Sequence, residues 1–413
     1  MAGVADKARF YLEQAVPQLR EFEDKEIFNR DEIRNLVRKR TDFEHRVLSP
    51  GSRAADFLAY AEWESRLETL RARRCARLGV RQLTHQHASP ARLNQLHERG
   101  VTRDPGSVAL WRSYLAHLAR IGAAKRWRRV ATRALRLHPQ DASLWALAGR
   151  RAAGAGDMDG ARAYFMRGCR FCRGVDIWAE YARVEMEWLA RVEARGKGRK
   201  GIAAVQAAQA VDEGDQIKLK DDDESDDDDD DDDEDVIPDP DRLAFKELEK
   251  KKLRPRIVDE DAVAKLEKSP ALGGAIPRAI FDISRKQNFF DAAAAETFFS
   301  VFARHATDVE SCSDLLQHVV DTMVELFPAH PATWDCRVRQ PLVVIDDLAG
   351  PALPGALREA LARLKEGLAA TERKAELAAR TVAWVQPMLS RADLDEGIRT
   401  VLEHTKKKMG ETS

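Results

Sequence analysis

Three stretches of the chain place a tryptophan at the same point of an apolar pattern: ALWRSYLAHL at 109–118, SLWALAGRRA at 143–152 and DIWAEYARVE at 176–185. Trp111, Trp145 and Trp178 are 34 and 33 residues apart, the length of one helix–turn–helix unit in an α-solenoid. A second ladder runs in phase with the first. Arg99-Gly100, Arg133-Ala134 and Arg167-Gly168 are each 34 apart, and Leu96, Val130 and Tyr164 stand three residues before those arginines. The pattern predicts a unit made of a helix A carrying the tryptophan, a short turn, and a helix B carrying the arginine and small residue.

Other segments extend the array. KARFYLEQAVPQLREFEDK and NRDEIRNLVRKRTDFEHRVL read as two N-terminal helices, the second capped by Asn29 or Asp31. Next, DFLAYAEWESRLETLRARRCARL carries Phe57, Tyr60 and Glu64 in the spacing that recurs as Trp178, Tyr181 and Glu185, so it reads as a divergent first repeat. Trp145 is followed by Ala148 and Ala152 at the Tyr and Glu positions, and that repeat is recognised by spacing alone. DPGS, HPQDAS and GAGDMDG supply turns, with Asp or Ser available to accept from the free amides of the next helix. Near the C-terminus, HPATW at 330–334 echoes HPQDASLW at 138–145, and helices are predicted at about 355–387 and 391–408. No segment is rich in strand signals.

Charge divides the chain unevenly. The net charge of −1 conceals 40 Lys+Arg against 24 Asp+Glu in residues 1–200 and 28 against 45 in 201–413. Fourteen of the fifteen residues 221–235 are acidic, and such a run repels itself with nothing to bury, which predicts a disordered linker over 191–262. KKKLRP at 250–255 has the composition of a nuclear import signal. The five cysteines make no disulfide framework, and no run of about 18 uncharged apolar residues predicts a membrane span.

Catalytic chemistry is not apparent: no phosphate-binding Gly-rich loop, nucleophile elbow or His-Glu-x-x-His is present. Cys169 and Cys172 have a metal-compatible spacing but lack a second pair, and they read as small core thiols; His85 and His87 read as an exposed loop pair. We therefore expect no catalytic residues, no metal, no cofactor and no small-molecule substrate. The tryptophans could stack bases, but a fixed repeat position is where a solenoid needs a large wedge between helices. Phe57, Tyr60, Trp111, Tyr114, Trp145, Tyr164, Trp178, Tyr181 and Trp334 are accordingly expected in the repeat core, and Trp127 is expected to be buried as well.

The arginines are the stronger functional signal. Residues 101–173 hold 15 Arg or Lys and only 4 Asp or Glu. Lys125, Arg126, Arg128, Arg129, Arg133, Arg136, Arg150 and Arg151 form the candidate surface, for RNA or for an acidic protein partner.

The W-x-x-Y-x-x-x-E pattern, with ARAYFMRG at 161–168, resembles HAT (half-a-tetratricopeptide) repeats, which occur chiefly in RNA-processing proteins. More specifically, VPQLREFEDKEIFNRDEIRNLVRKRTDFEHRV and FMRGCRFC are similar to the U3 small nucleolar RNA-associated protein 6 family. That resemblance implies a non-enzymatic scaffold subunit of the UTP-B subcomplex in the small-subunit processome. It also implies a nucleolar location, partners that are largely β-propeller proteins, and U3 particle and pre-ribosomal RNA nearby. A HAT-repeat scaffold of a splicing or mRNA 3′-end processing complex is the alternative. The expected architecture is all-α: an N-terminal helical segment (1–52), a HAT solenoid (53–190), a disordered linker (191–262) and a C-terminal helical array (263–413).

Overall fold

The chain, seen in a computed structural model, is described over residues 2–209, 273–345, 350–391 and 394–411, and every regular element among them is a helix. The predicted linker, the acidic run 221–235 and the basic cluster 250–255 lie largely or wholly outside the described residues. Two compact units divide the rest between Leu144 and Trp145, so described helices before and after the predicted linker share the second unit.

The first unit holds α1 (Ala2–Glu13), α2 (Val16–Asp24), α3 (Arg30–Leu48), α4 (Ala54–Leu78), α5 (Ala88–Arg103), α6 (Val108–Arg120) and α7 (Ala124–Leu137). The first predicted helix is broken at Gln14–Ala15, and Pro17 sits in the opening turn of α2, where its missing N–H costs nothing. Asn29 caps α3: its side chain accepts from Glu32 N at 2.8 Å while the Glu32 carboxylate accepts from Asn29 N. Helix α4 contacts both α5 and α6, the nearest-neighbour pattern of stacked helix pairs.

The second unit contains most of α8 (Ala142–Gly154), then α9 (Met158–Phe171), α10 (Val175–Gln209), α11 (Ala275–Ser284), α12 (Ala292–Ala303), α13 (Cys312–Leu326), α14 (Pro331–Val343), α15 (Leu353–Ala370), α16 (Lys374–Leu389) and α17 (Glu396–Gly410). Helix α10 packs on α11 and α12, so the long acidic stretch is inserted between two helices that pack directly on each other. The same alternation continues, with α12 against α13 and α14, and α14 against α15 and α16. The predicted helix at 355–387 is two helices: Thr371 is extended (φ −95°, ψ 140°) and its hydroxyl accepts from Arg373 N.

Repetition is visible in individual contacts. Trp111 Nε1 donates to Pro105 O at 2.9 Å, and Trp334 Nε1 donates to Pro328 O at 3.0 Å, the same six-residue reach back into the preceding turn. Small residues on helix B let those aromatics approach. A methyl on Gly168 would meet Trp145 at 3.0 Å, one on Gly367 would meet Trp334 at 3.0 Å, and one on Gly100 would meet Phe57 at 3.3 Å. Phe57, Tyr60, Trp111, Tyr114, Trp145, Trp178, Tyr181 and Trp334 are all buried, as is Trp127. Tyr164 is the exception: it is half-buried, and its neighbour Phe165 is fully buried and stacks on Tyr181 at 5.1 Å. One residue turns a helix by about 100°, so only one of two adjacent aromatics can face the next helix.

That stack belongs to a module that the repeat spacing carries along the chain. On helix B an arginine precedes an aromatic by three residues; on the next helix A a tyrosine precedes a glutamate by four. In α9 and α10, Phe165 stacks on Tyr181 and Arg162 grips Glu185 through two hydrogen bonds of 2.7 and 3.0 Å. In α3 and α4, Phe43 stacks on Tyr60 at 5.0 Å, and Arg40 grips Glu64 at 2.7 and 3.1 Å. Both Arg40 and Glu64 side chains are 2% exposed, so each is the other's main source of solvation. In α5 and α6 the stack survives as His97 on Tyr114 at 5.3 Å, but Asn94 stands for the arginine and Leu118 for the glutamate. At the next 34-residue step Arg128 is retained while Ala131, Ala148 and Ala152 replace the aromatic, the tyrosine and the glutamate.

Candidate functional site

Helix α7 gathers most of the predicted basic surface. Its sequence AKRWRRVATRALRL has six cations and no acid, and burial of Trp127, Val130, Ala131, Ala134 and Leu135 turns the charged arc outward. Lys125, Arg128, Arg129, Arg133 and Arg136 are exposed and Arg126 is half-buried. Arg133 has a partner: it donates to Glu98 at 2.7 Å and lies over the Trp111 ring at 5.4 Å. Lys125, Arg128, Arg129 and Arg136 make no ion pair among the described residues.

Arg150 and Arg151 lie on α8 in the second unit. Arg150 is engaged by Glu180, at 3.2 Å, which Arg183 also grips. Arg151 is half-buried, and that burial holds its guanidinium below its ordinary pKa. Neither presents the kind of unpaired charge that α7 does.

A cleft of about 710 Å³ opens beside the arginine ridge of α7. Arg126, Arg129 and Arg133 form one wall, α5 supplies Arg92, Asn94, Gln95 and Glu98, and Gln14 enters from the break between α1 and α2. Glu98 organises the α7 side. It receives Arg133 and lies close to the Tyr114 hydroxyl, whose pKa is pushed up to about 12 by burial and by that carboxylate. Arg92 is held in the floor by a hydrogen bond that Gln18 accepts at 3.3 Å and by an ion pair with Glu64 at 3.6 Å; burial and neighbouring Arg40 lower its pKa. Asn94 is 6% exposed, and its Oδ1 lacks a hydrogen-bond partner among the described residues.

The sequence reading found the α7 cations but missed Asn94, Gln95, Arg92 and Gln14. Asn94 and Arg92 were recoverable in principle, since a helix B arginine with its glutamate 23 or 24 residues later marks the paired repeats and Asn94 with Leu118 marks its loss. Gln14 gave no such signal. Beneath the neighbouring surface, His97 stacks on His117 at 5.3 Å; burial, with His117 and Arg120 nearby, lowers the His97 pKa to about 3, and burial with Arg120 lowers that of His117 to about 4.

No other arrangement among the described residues offers chemistry. No group of three His, Cys, Asp or Glu side chains is placed to hold a metal there. Burial pushes the Cys169 thiol up to about 12, which makes it a poor thiolate; Cys172 is buried just past the end of α9. His85 and His87 sit half-buried in the turn before α5, where the loop reading had them exposed. No described helix is long and apolar enough to cross a membrane.

The helices on the α5 side of this cleft match a known family. Residues 12–99 match the family of U3 small nucleolar RNA-associated protein 6. The resemblance read from the N-terminal helices is thus shown, over the segment that holds α2 to α5 and the Arg40–Glu64 module. Over 198 residues the chain is 33% identical to the U3 small nucleolar RNA-associated protein 6 of Schizosaccharomyces pombe, a match covering 47% of this chain and 41% of that protein. Over 179 residues it is 25% identical to the U3 small nucleolar RNA-associated protein 6 homolog of Homo sapiens, covering 42% and 30% respectively. The match therefore spans less than half the length of these relatives.

Proposed function

We propose that this chain is a non-enzymatic scaffold subunit of a U3-containing ribonucleoprotein that acts in pre-ribosomal RNA processing. The observation that carries the reading is the coincidence, within one N-terminal unit, of a match to the U3-associated family with a helix of six cations, four of which, Lys125, Arg128, Arg129 and Arg136, make no ion pair among the described residues. Stacked helix pairs offer long ridges and few enclosed sites, which suits holding partners better than turning over a substrate. The finer assignment follows the family resemblance: membership of the UTP-B subcomplex of the small-subunit processome, in the nucleolus, beside β-propeller subunits, with the U3 particle and pre-ribosomal RNA.

Gradient sedimentation of the native protein from cell extract, with and without ribonuclease, followed by sequencing of the co-purified RNA, tests this reading. We expect a very large particle with U3 and pre-ribosomal RNA that collapses under ribonuclease to a smaller protein complex. Recovery with spliceosomal or messenger RNA instead would move the chain to a splicing or 3′-end processing scaffold. Cleavage or modification of pre-ribosomal RNA by the purified chain alone would contradict the non-enzymatic reading.

A further inference from the structure

We propose that the cleft between α5 and α7 is a binding site for single-stranded RNA, with Arg126, Arg129 and Arg133 holding phosphates and the amides of Asn94 and Gln95 meeting sugar or base. This deepens the functional reading above by assigning it a direct RNA contact, and it rests on that reading for its biological context.

The site lies where the repeat module is broken. In the α3–α4 and α9–α10 junctions the helix B arginine is consumed by a glutamate of the next helix A. At α5–α6 that pair is replaced by Asn94 and Leu118, which leaves a buried amide oxygen with nothing to accept from. An unpartnered buried acceptor is costly in a folded protein and uncommon without a role. The last torsion of an asparagine is soft, so the amide can turn toward a hydroxyl or amino donor that enters the cleft.

Charge selects the ligand. Arg129 has no carboxylate partner among the described residues, and Arg133 is fixed in place by Glu98 and the Trp111 face. Arg126, Arg129 and Arg133 fall at helical spacing along one wall, a row of guanidinium forks that fits successive phosphates. RNA is favoured over an acidic peptide by the other half of the lining. Gln14, Asn94 and Gln95 add donors and acceptors together, which suit base edges and 2′-hydroxyls, whereas the side chains of an acidic peptide only accept and would serve the arginines but not Asn94 Oδ1. The cleft is too small for a duplex, and the arginine planes can stack unpaired bases.

The test is fluorescence anisotropy of the purified full chain with a labelled 12-nucleotide single-stranded RNA of mixed sequence, over a series of salt concentrations. Arg126→Glu/Arg129→Glu/Arg133→Glu is expected to weaken binding at least about tenfold and to make the log–log salt slope shallower by about 2, since each phosphate contact on a single strand contributes roughly 0.7. Arg358→Glu/Lys365→Glu/Lys407→Glu changes the net charge equally on the C-terminal helices and is expected to leave affinity within about twofold. Because reversal at Arg133 places two carboxylates together, Arg126→Gln/Arg129→Gln with an unchanged thermal melt repeats the test without that repulsion.

Equal losses from the two triple variants would overturn the site, as would no measurable RNA binding by the wild type. Tighter binding of labelled poly-glutamate than of RNA would overturn it in favour of an acidic protein ligand. A chain that co-sediments with U3 RNA in extract yet binds no free RNA would leave the scaffold reading standing and remove only this inference.

Discussion

The α9–α10 junction and the α5–α6 junction are built on one plan and differ at three of its four side chains, two of which carry the charge. Both stack a helix B ring on a helix A tyrosine, Phe165 on Tyr181 and His97 on Tyr114. At α9–α10 the arginine and glutamate beside the stack neutralise each other. At α5–α6 their places are taken by Asn94 and Leu118, and one repeat further on Arg128 faces solvent with Ala152 in the glutamate's register. The paired junctions spend their polar groups internally, whereas the unpaired ones leave them available. A repeat protein can thus change a structural joint into a recognition surface without altering the helices that carry it.

The comparison is broken most forcefully at Arg40. Arg40→Ala leaves the Glu64 carboxylate buried beside Arg92 alone, and a loss of about 3–5 kcal/mol in denaturant unfolding is expected. Arg40→Met combined with Glu64→Leu should recover most of that loss, because a well-packed apolar pair replaces two desolvated charges. If the single variant cost less than about 1 kcal/mol, the pair would not be the joint described here. Trp145→Ala should cost a similar amount, about 3–5 kcal/mol, through the cavity left against Gly168 and Phe171.

Acid provides a softer test, read at the α5–α6 junction by substitution of its histidines. His97 and His117 have folded pKa values of about 3 and about 4, below the 6.5 of the unfolded imidazole. The unfolded chain therefore binds more protons between these limits, so their contribution is whole above pH 6.5 and is lost as pH falls toward 4 and 3. Each histidine changes stability by at most about 1.4 kcal/mol per pH unit within that window. Thermal melts from pH 7 to pH 5 should show the decline, and His97→Phe, which keeps the stack on Tyr114, should flatten it. An unchanged slope in that variant would mean that His97 does not contribute to it.

The smallest effect is the most telling for the contrast. Arg128→Ala should change stability by no more than about 0.5 kcal/mol, as expected for an exposed side chain without a partner. Arg162→Ala at the equivalent position of the paired junction strands Glu185, which is 1% exposed, and should cost several times more. Similar values for the two would erase the distinction between paired and unpaired repeats.

The helical array was legible because its spacing repeats: Trp111, Trp145 and Trp178 mark helix A, and the small residues Gly100, Ala134 and Gly168 mark helix B. Less legible were features that depend on a single residue of phase. Tyr164 and Phe165 are adjacent aromatics, and periodicity could not choose between them. The breaks at Gln14–Ala15 and Thr371 interrupt otherwise good helical pattern, without a glycine to announce them. The α7 cations stood out by composition, since no acid accompanies them. The cleft they line did not, because it unites residues from Gln14 to Arg133 that only the packing of α5, α6 and α7 brings together.

The central claim is that the unpaired α5–α6 junction and the cations of α7 are where this chain meets RNA. Ultraviolet crosslinking in cells, with mapping of both the crosslinked peptides and the attached RNA, tests it most directly. The account predicts crosslinks on α5 and α7, around Asn94, Gln95 and Arg126–Arg133, carrying U3 or pre-ribosomal RNA sequence. Crosslinks confined to the helices after α11, or RNA of spliceosomal origin at α5 and α7, would contradict it.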